Sequence, residues 1–189
     1  MRMENTTSTL ETSEDRIESG IDVAQMFFWS LLATIAMLFM ALVSAYLVRR
    51  SGEDWWAMSL PSVLWWNAIL LIPGTLAMEI ARRNADAGQE RMWIGISALL
   101  GMVFVAGQVY GWSVWAGQGV FLSTNPYSAF VYLLSGLHGL HVMGGVVWLL
   151  VILLMVRGVR RPVAVRCAAD YWLFLAAVWI GLLGVLTFL

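Results

Sequence analysis

The amino-acid sequence predicts an all-α integral membrane protein, a bundle of five transmembrane helices. Three observations predict it. The chain is 60% hydrophobic and only 12% charged, a balance foreign to a water-soluble domain. Its apolar residues gather into five runs, Val23–Val48, Ser62–Ile80, Met92–Ala116, Tyr127–Val156 and Ala168–Leu189, each near the roughly 20 residues needed to cross a bilayer. The connections between them are too short for a soluble domain. The chain therefore divides into a flexible polar cytoplasmic tail, residues 1–22, and a membrane domain, residues 23–189.

The tail carries Glu4, Glu11, Glu14, Asp15, Glu18 and Asp22 and lacks the basic start and short apolar core of a cleaved signal. Its composition favours solvated disorder. The second helix is expected to open at Ser59 with Pro61, and the fourth at Asn125 with Pro126. Pro73-Gly74 falls inside the second run. Proline removes one backbone hydrogen bond there, which predicts a kink relieved by a neighbouring helix or by Thr75. The third run holds Gly107 and Gly111, a spacing that lets helices approach closely; Ser135 with Gly139 and Ala177 with Gly181 repeat it. At a rise of about 1.5 Å per residue the fourth run is about 45 Å long, against a hydrocarbon core of about 30 Å, so it tilts or projects. Pro162 is expected in the first turn of the fifth helix.

Arginines set the orientation. Arg2, Arg16, Arg82, Arg83, Arg91, Arg157, Arg160, Arg161 and Arg166 fall on the side of the N-terminus; only Arg49 and Arg50 fall opposite. The positive-inside rule puts the N-terminus in the cytoplasm and Leu189 in the periplasm. Trp55, Trp56, Trp65, Trp66, Trp112 and Trp115 are expected near the outer interface, and Trp29, Trp93 and Trp172 near the inner one.

The polar groups at membrane depth are few. Asn67, Gln108 and His138 lie in the outer half by residue count, where one interhelical hydrogen-bond cluster can join them. His138 and His141, the only histidines, sit three residues apart in the fourth run, nearly on one helix face, with Gly136 and Gly139 leaving room for another helix. They are read as neutral imidazoles hydrogen-bonded to neighbouring helices. Asp170 begins the fifth span with Arg166 one turn before it, and Glu79 closes the second beside Arg82 and Arg83. No carboxylate lies at mid-membrane depth, which argues against a proton pump or cation transporter.

Two histidines on one face cannot ligate one haem from both sides, and no carboxylate at that depth completes a metal site. The single Cys167 excludes an internal disulfide and a cysteine-cluster metal site. No nucleophile pairs with a base, and a net charge of -1 gives no sign of nucleic-acid binding. A small-molecule transporter would need an internal repeat or a central ionisable site, and a haem-binding membrane cytochrome would need axial ligands; the sequence offers none of these.

The stretch Ser135-Gly136-Leu137-His138-Gly139-Leu140-His141-Val142 resembles the signature of subunit III of the haem-copper terminal oxidases. Met37-Leu38-Phe39 with Ser44 to Val48 resembles the first helix of that family's five-helix form. Leu60-Pro61 with Asn67, Gly101 with Phe104 and Gln108, and Tyr171-Trp172 with Val178-Trp179 extend the likeness from about residue 24 to the end. The resemblance implies a non-catalytic accessory subunit of a bacterial respiratory oxidase in the cytoplasmic membrane. Haem and copper are then expected in partner subunits, with none in this chain. Subunit I is the main contact, with subunit II, a small subunit IV or a larger supercomplex as further partners, and phospholipid is bound. Cytochrome c is the favoured donor; a quinol oxidase or a nitric oxide reductase accessory protein would look similar. Asn67, Gln108, His138, His141, Asp170 and Trp172 are the candidate residues for an interhelical polar cluster or for subunit and lipid contact. The family's membrane glutamate is replaced by Ile35, and Gly111, Leu173, Ala176 and Arg166 replace other groups common in it. The resemblance therefore carries a scaffold role, and no proton-antenna role, to this chain.

Overall fold

The computed structural model describes residues 4–84, 89–156, 158 and 160–188, with side chains from residue 23 onward except that of residue 160. Five helices follow one another: α1 Glu4–Arg49, α2 Ser62–Arg83, α3 Glu90–Gly117, α4 Pro126–Leu154 and α5 Arg160–Phe188. There is no strand among the described residues. All five contain a stretch long and apolar enough to cross a membrane, that of α1 being Val23–Arg49. The helical backbone of α1 begins well before it, through the segment expected to be an irregular tail.

The other boundaries follow the local chemistry. Asn125 caps α4 in extended conformation: its side chain accepts from the Ser128 amide at 2.7 Å while Ser128 Oγ accepts from the Asn125 amide at 3.2 Å. Pro126 costs nothing in the first turn, where its missing N–H has no helical acceptor. Pro61 caps α2 without a side-chain bond, and the Ser59 carbonyl accepts instead from Trp115 Nε1 at 3.3 Å. Gly119, at φ +78°, ends α3 by bonding its amide to the Ala116 carbonyl, and the next amide reaches back to Trp115. That left-handed step strains any residue with a Cβ. Pro73 does not interrupt α2. Around it Thr75 Oγ1 donates to the Leu71 carbonyl at 2.8 Å, and Ser97 Oγ on α3 donates to the Gly74 carbonyl at 3.0 Å.

Helices α2, α3, α4 and α5 pack in a ring, each against the next and α5 back against α2. α1 lies outside, on α4 and α5. It buries a single stripe, Phe28, Leu32, Ile35, Phe39 and Tyr46, at helical spacing, and leaves Met26, Phe27, Met37 and Met40 exposed. Van der Waals packing, rather than the hydrophobic effect, holds such helices together in lipid, so close approach matters. The α3 glycines supply it on the α2 side. Gly107 faces the Asn67 carboxamide, which a Cβ there would strike, and a Cβ at Gly111 would lie 3.3 Å from Leu64 Cδ2.

Candidate functional site

All of the candidate residues but Trp172 fall into three places. The first is the contact of α2 with α3. Asn67, 3% exposed, turns its Nδ2 to the Phe104 carbonyl at 3.2 Å. A polar side chain in hydrocarbon needs such a partner, and the bond fixes the register of α2 on α3.

The second is centred on His138, which is fully buried. Its ring stacks on Trp179 of α5 at 5.0 Å and meets the edges of Phe104 of α3 and Phe39 of α1 at 5.6 and 6.3 Å. Neither ring nitrogen bonds to a protein group, and both amide atoms of buried Gln108 are likewise without one. Asn67, Gln108 and His138 therefore do not form the connected hydrogen-bond cluster expected from their depth. Aromatic packing surrounds His138 instead. The reading of both histidines as bonded to neighbouring helices is also corrected. His141 turns Nδ1 to the carbonyl of Leu137, on its own helix, at 2.7 Å. That acceptor requires the proton on Nδ1. The bond between helices here runs the other way, from Tyr171 Oη of α5 to the His141 carbonyl at 2.9 Å. Gly136 lies 3.6 Å, by its ideal Cβ, from Trp112, while nothing comes within 4 Å of Gly139.

The third place is the arginine-rich end. Glu79 pairs with Arg82 and Arg83, each at 2.8 Å, as the sequence implied. Asp170 faces Arg82 of α2 at 3.7 Å, a cross-helix partner that its sequence neighbour Arg166 does not reveal. Both partners are partly exposed, and the pair contributes little. Glu90, which nothing in the sequence singles out, is 2% exposed and pairs with Arg161 at 2.6 Å. This joins the start of α3 to the start of α5. Arg91 and Arg161 also donate to the Leu153 and Val156 carbonyls near the end of α4. An acidic residue in the first turn of a helix is common for dipole reasons alone; only the fold shows that this one is enclosed.

Trp172 stands apart from these three places, enclosed by the helix ring. It is 3% exposed, and its indole fills a niche cleared by three glycines. A Cβ at Gly74 would lie 3.2 Å from its Nε1, one at Gly101 3.0 Å from its ring, and one at Gly145 3.0 Å from Cζ3. Gly74, Gly101 and Gly145 belong to α2, α3 and α4, so a residue of α5 locks the whole ring.

Among the described residues no three His, Cys, Asp or Glu side chains form a group suited to a metal ion. The carboxylates described beyond residue 22 are Glu53, Asp54, Glu79, Glu90 and Asp170, in the α1–α2 connection or at the arginine-rich end. At Ile35, where the resembling family has a glutamate, an aliphatic side chain is buried in the core.

The fold defines a multi-pass helical membrane protein. Comparison with known proteins makes the class specific, although no family model matches the chain. Cytochrome c oxidase subunit 3 of Synechocystis sp. is 34% identical, over 80% of this chain and 69% of that protein. Cytochrome bo(3) ubiquinol oxidase subunit 3 of Pseudomonas aeruginosa is 32% identical, over 81% and 78%. Probable quinol oxidase subunit 3 of Staphylococcus saprophyticus is 31% identical, over 89% and 90%. The chain belongs to the subunit III family of the haem-copper oxidases.

Proposed function

We propose that this chain is the accessory subunit III of a bacterial haem-copper oxidase that reduces oxygen to water in aerobic respiration. The observation that carries the reading is the match to oxidase subunits 3 across about four fifths or more of the chain. The side-chain geometry supports it. His138 is enclosed by aromatic rings, and the carboxylates described beyond residue 22 stand away from it. Such a chain suits holding other subunits in place rather than passing electrons or ions.

In this reading residues 1–22 extend into the cytoplasm, Leu189 lies on the periplasmic side, and the cytoplasmic membrane is the location; the arginine asymmetry is the reason. Subunit I is the main partner, subunit II and a small fourth subunit are others, and haem and copper reside in the partners. Bound phospholipid covers apolar faces such as that of α1. Asn67, Gln108, His138, His141, Asp170 and Trp172 act by setting helix packing and hence the contact surface. Cytochrome c is the donor. A quinol donor is the second reading, favoured by the Pseudomonas and Staphylococcus relatives.

Affinity purification of the tagged chain from membranes, followed by mass spectrometry and a visible spectrum, tests the proposal. Co-purification of a haem-copper subunit is expected, and the copper ligands of the accompanying subunit II discriminate the donor. Recovery of the chain alone with its own Soret band, or with ion flux in liposomes, overturns it.

A further inference from the structure

We propose that the bundle holds a built-in water site beside Gly139, between α3 and α4, with Gln108 and His138 as its hydrogen-bonding walls. Three contacts set the α3–α4 register. A Cβ at Gly101 would meet Val146, Trp112 Nε1 donates to Ser135 Oγ at 3.0 Å, and Trp115 packs its ring on Tyr132 at 5.8 Å. The helices run antiparallel, so these pairs bring Gln108 level with Gly139, next to His138.

Two independent features meet at that level. Gly139 is buried, yet a Cβ placed on it would find no atom of another element within 4 Å, so the interior has unfilled space there. On α3, α4 and α5 near this level are polar atoms with no protein partner: both amide atoms of Gln108, both ring nitrogens of His138, and Nε1 of Trp179, whose ring stacks on that histidine. All three side chains are at most 1% exposed. Phe104 ties them together, its ring 5.6 Å from His138 and 5.3 Å from Trp179, with Gln108 one turn further along α3.

Buried polar groups in hydrocarbon demand partners, and a confined water needs two to four of its own. Gln108 offers both a donor and an acceptor, and a neutral imidazole does the same, so one or two waters can bridge them. The carboxylates described beyond residue 22 lie in the α1–α2 connection or at the arginine-rich end, so none is at hand to favour a cation. Glycine at position 139 is then kept for the water's sake.

The test is Gly139→Ala in the full chain, with whatever subunits co-purify. Filling dry apolar space and replacing a mid-helix glycine both stabilise, so a dry site gives an unchanged or raised thermal midpoint. A water site gives the opposite sign, a fall of about 3 °C or more, because the methyl displaces the bridge and strands its partners. In a Gln108→Leu/His138→Phe background, where nothing remains to bridge, the same substitution is expected to raise the midpoint. An unchanged or raised midpoint in the parent, or a fall in both backgrounds, overturns the proposal. If the double-substituted chain does not accumulate, a map of the parent sharp enough to show ordered water decides. Density within hydrogen-bonding distance of Gln108 and a ring nitrogen of His138 supports the site; direct contact of the two side chains, or no density, overturns it.

Discussion

The indole of Trp172 on α5 lies against the backbone of Gly101 on α3, where a Cβ would come within 3.0 Å of two ring atoms and 2.8 Å of Val146. Two residues far apart in sequence thus have matched sizes: the largest side chain of the set faces the smallest. Gly74 and Gly145 repeat the match on the other two helices of the ring.

Gly101→Ala is therefore expected to destabilise the bundle by about 1–3 kcal/mol, the usual cost of overpacking a filled core. Gly95→Ala, on the same helix with nothing within 4 Å, is expected to be neutral or stabilising. Thermal melts of the two variants in one detergent check the contrast. Equal behaviour would mean that the glycine niche does not hold the ring.

Asn67 and Gly107 form a second matched pair. Gly107→Ala drives a methyl into the Asn67 carboxamide and displaces the bond to the Phe104 carbonyl, whereas Asn67→Leu removes only that bond. Since an interhelical hydrogen bond contributes about 0.6–2 kcal/mol in a membrane protein, the glycine variant is expected to be the more damaging. Retention of assembled protein through a detergent series ranks them.

Glu90 and Arg161 form a largely buried ion pair. Arg161→Met leaves the carboxylate enclosed without its cation and is expected to cost about 3–5 kcal/mol. Replacing both, Glu90→Leu with Arg161→Met, is expected to cost much less, because no unpaired charge remains. Chemical-denaturation midpoints of the single and double variants give the coupling directly.

Outside the spans, the hydrogen bond from the Arg49 guanidinium holds the Asp54 carboxyl below its ordinary value of 3.8. A lowered carboxyl pKa in the folded chain means that the pair supports the folded α1–α2 turn above the unfolded value. That support fades as pH falls through the folded one. The carboxyl is exposed, so the effect is local. A carbon-detected titration of Asp54 is expected to show a midpoint below 3.8, returning toward that value in Arg49→Gln.

Removal of residues 2–20 is expected to leave insertion and orientation intact, because the arginine asymmetry of the later loops remains. Protease protection in inverted vesicles measures this. Loss of insertion, or exposure of the C-terminus on the cytoplasmic side, counts against the orientation.

The spans were legible because twenty apolar residues in a row can satisfy their backbone only as a helix in lipid, whatever their neighbours are. The capping of α4 by Asn125 and Pro126 was legible for the same local reason. The candidate site was only partly so. Asn67 and the α3 glycines had a visible chemistry and spacing, but His138 and Gln108 were expected to bond to each other's helices and do not. A tryptophan near a helix end reads as an interfacial residue, which says nothing of the niche that buries Trp172; three glycines spread over three helices have no sequence signature. Glu90 looked like an ordinary first-turn acid.

By itself the sequence determined that this chain crosses the membrane five times, and its resemblance to a family already named the company it keeps. Tertiary structure alone decided which side of each helix is buried, which glycine admits which ring, and which arginine meets which acid. The reason is physical. Span formation depends on length and composition, which are local, whereas the packing of helices in lipid depends on fits good to a few tenths of an ångström between residues tens of positions apart.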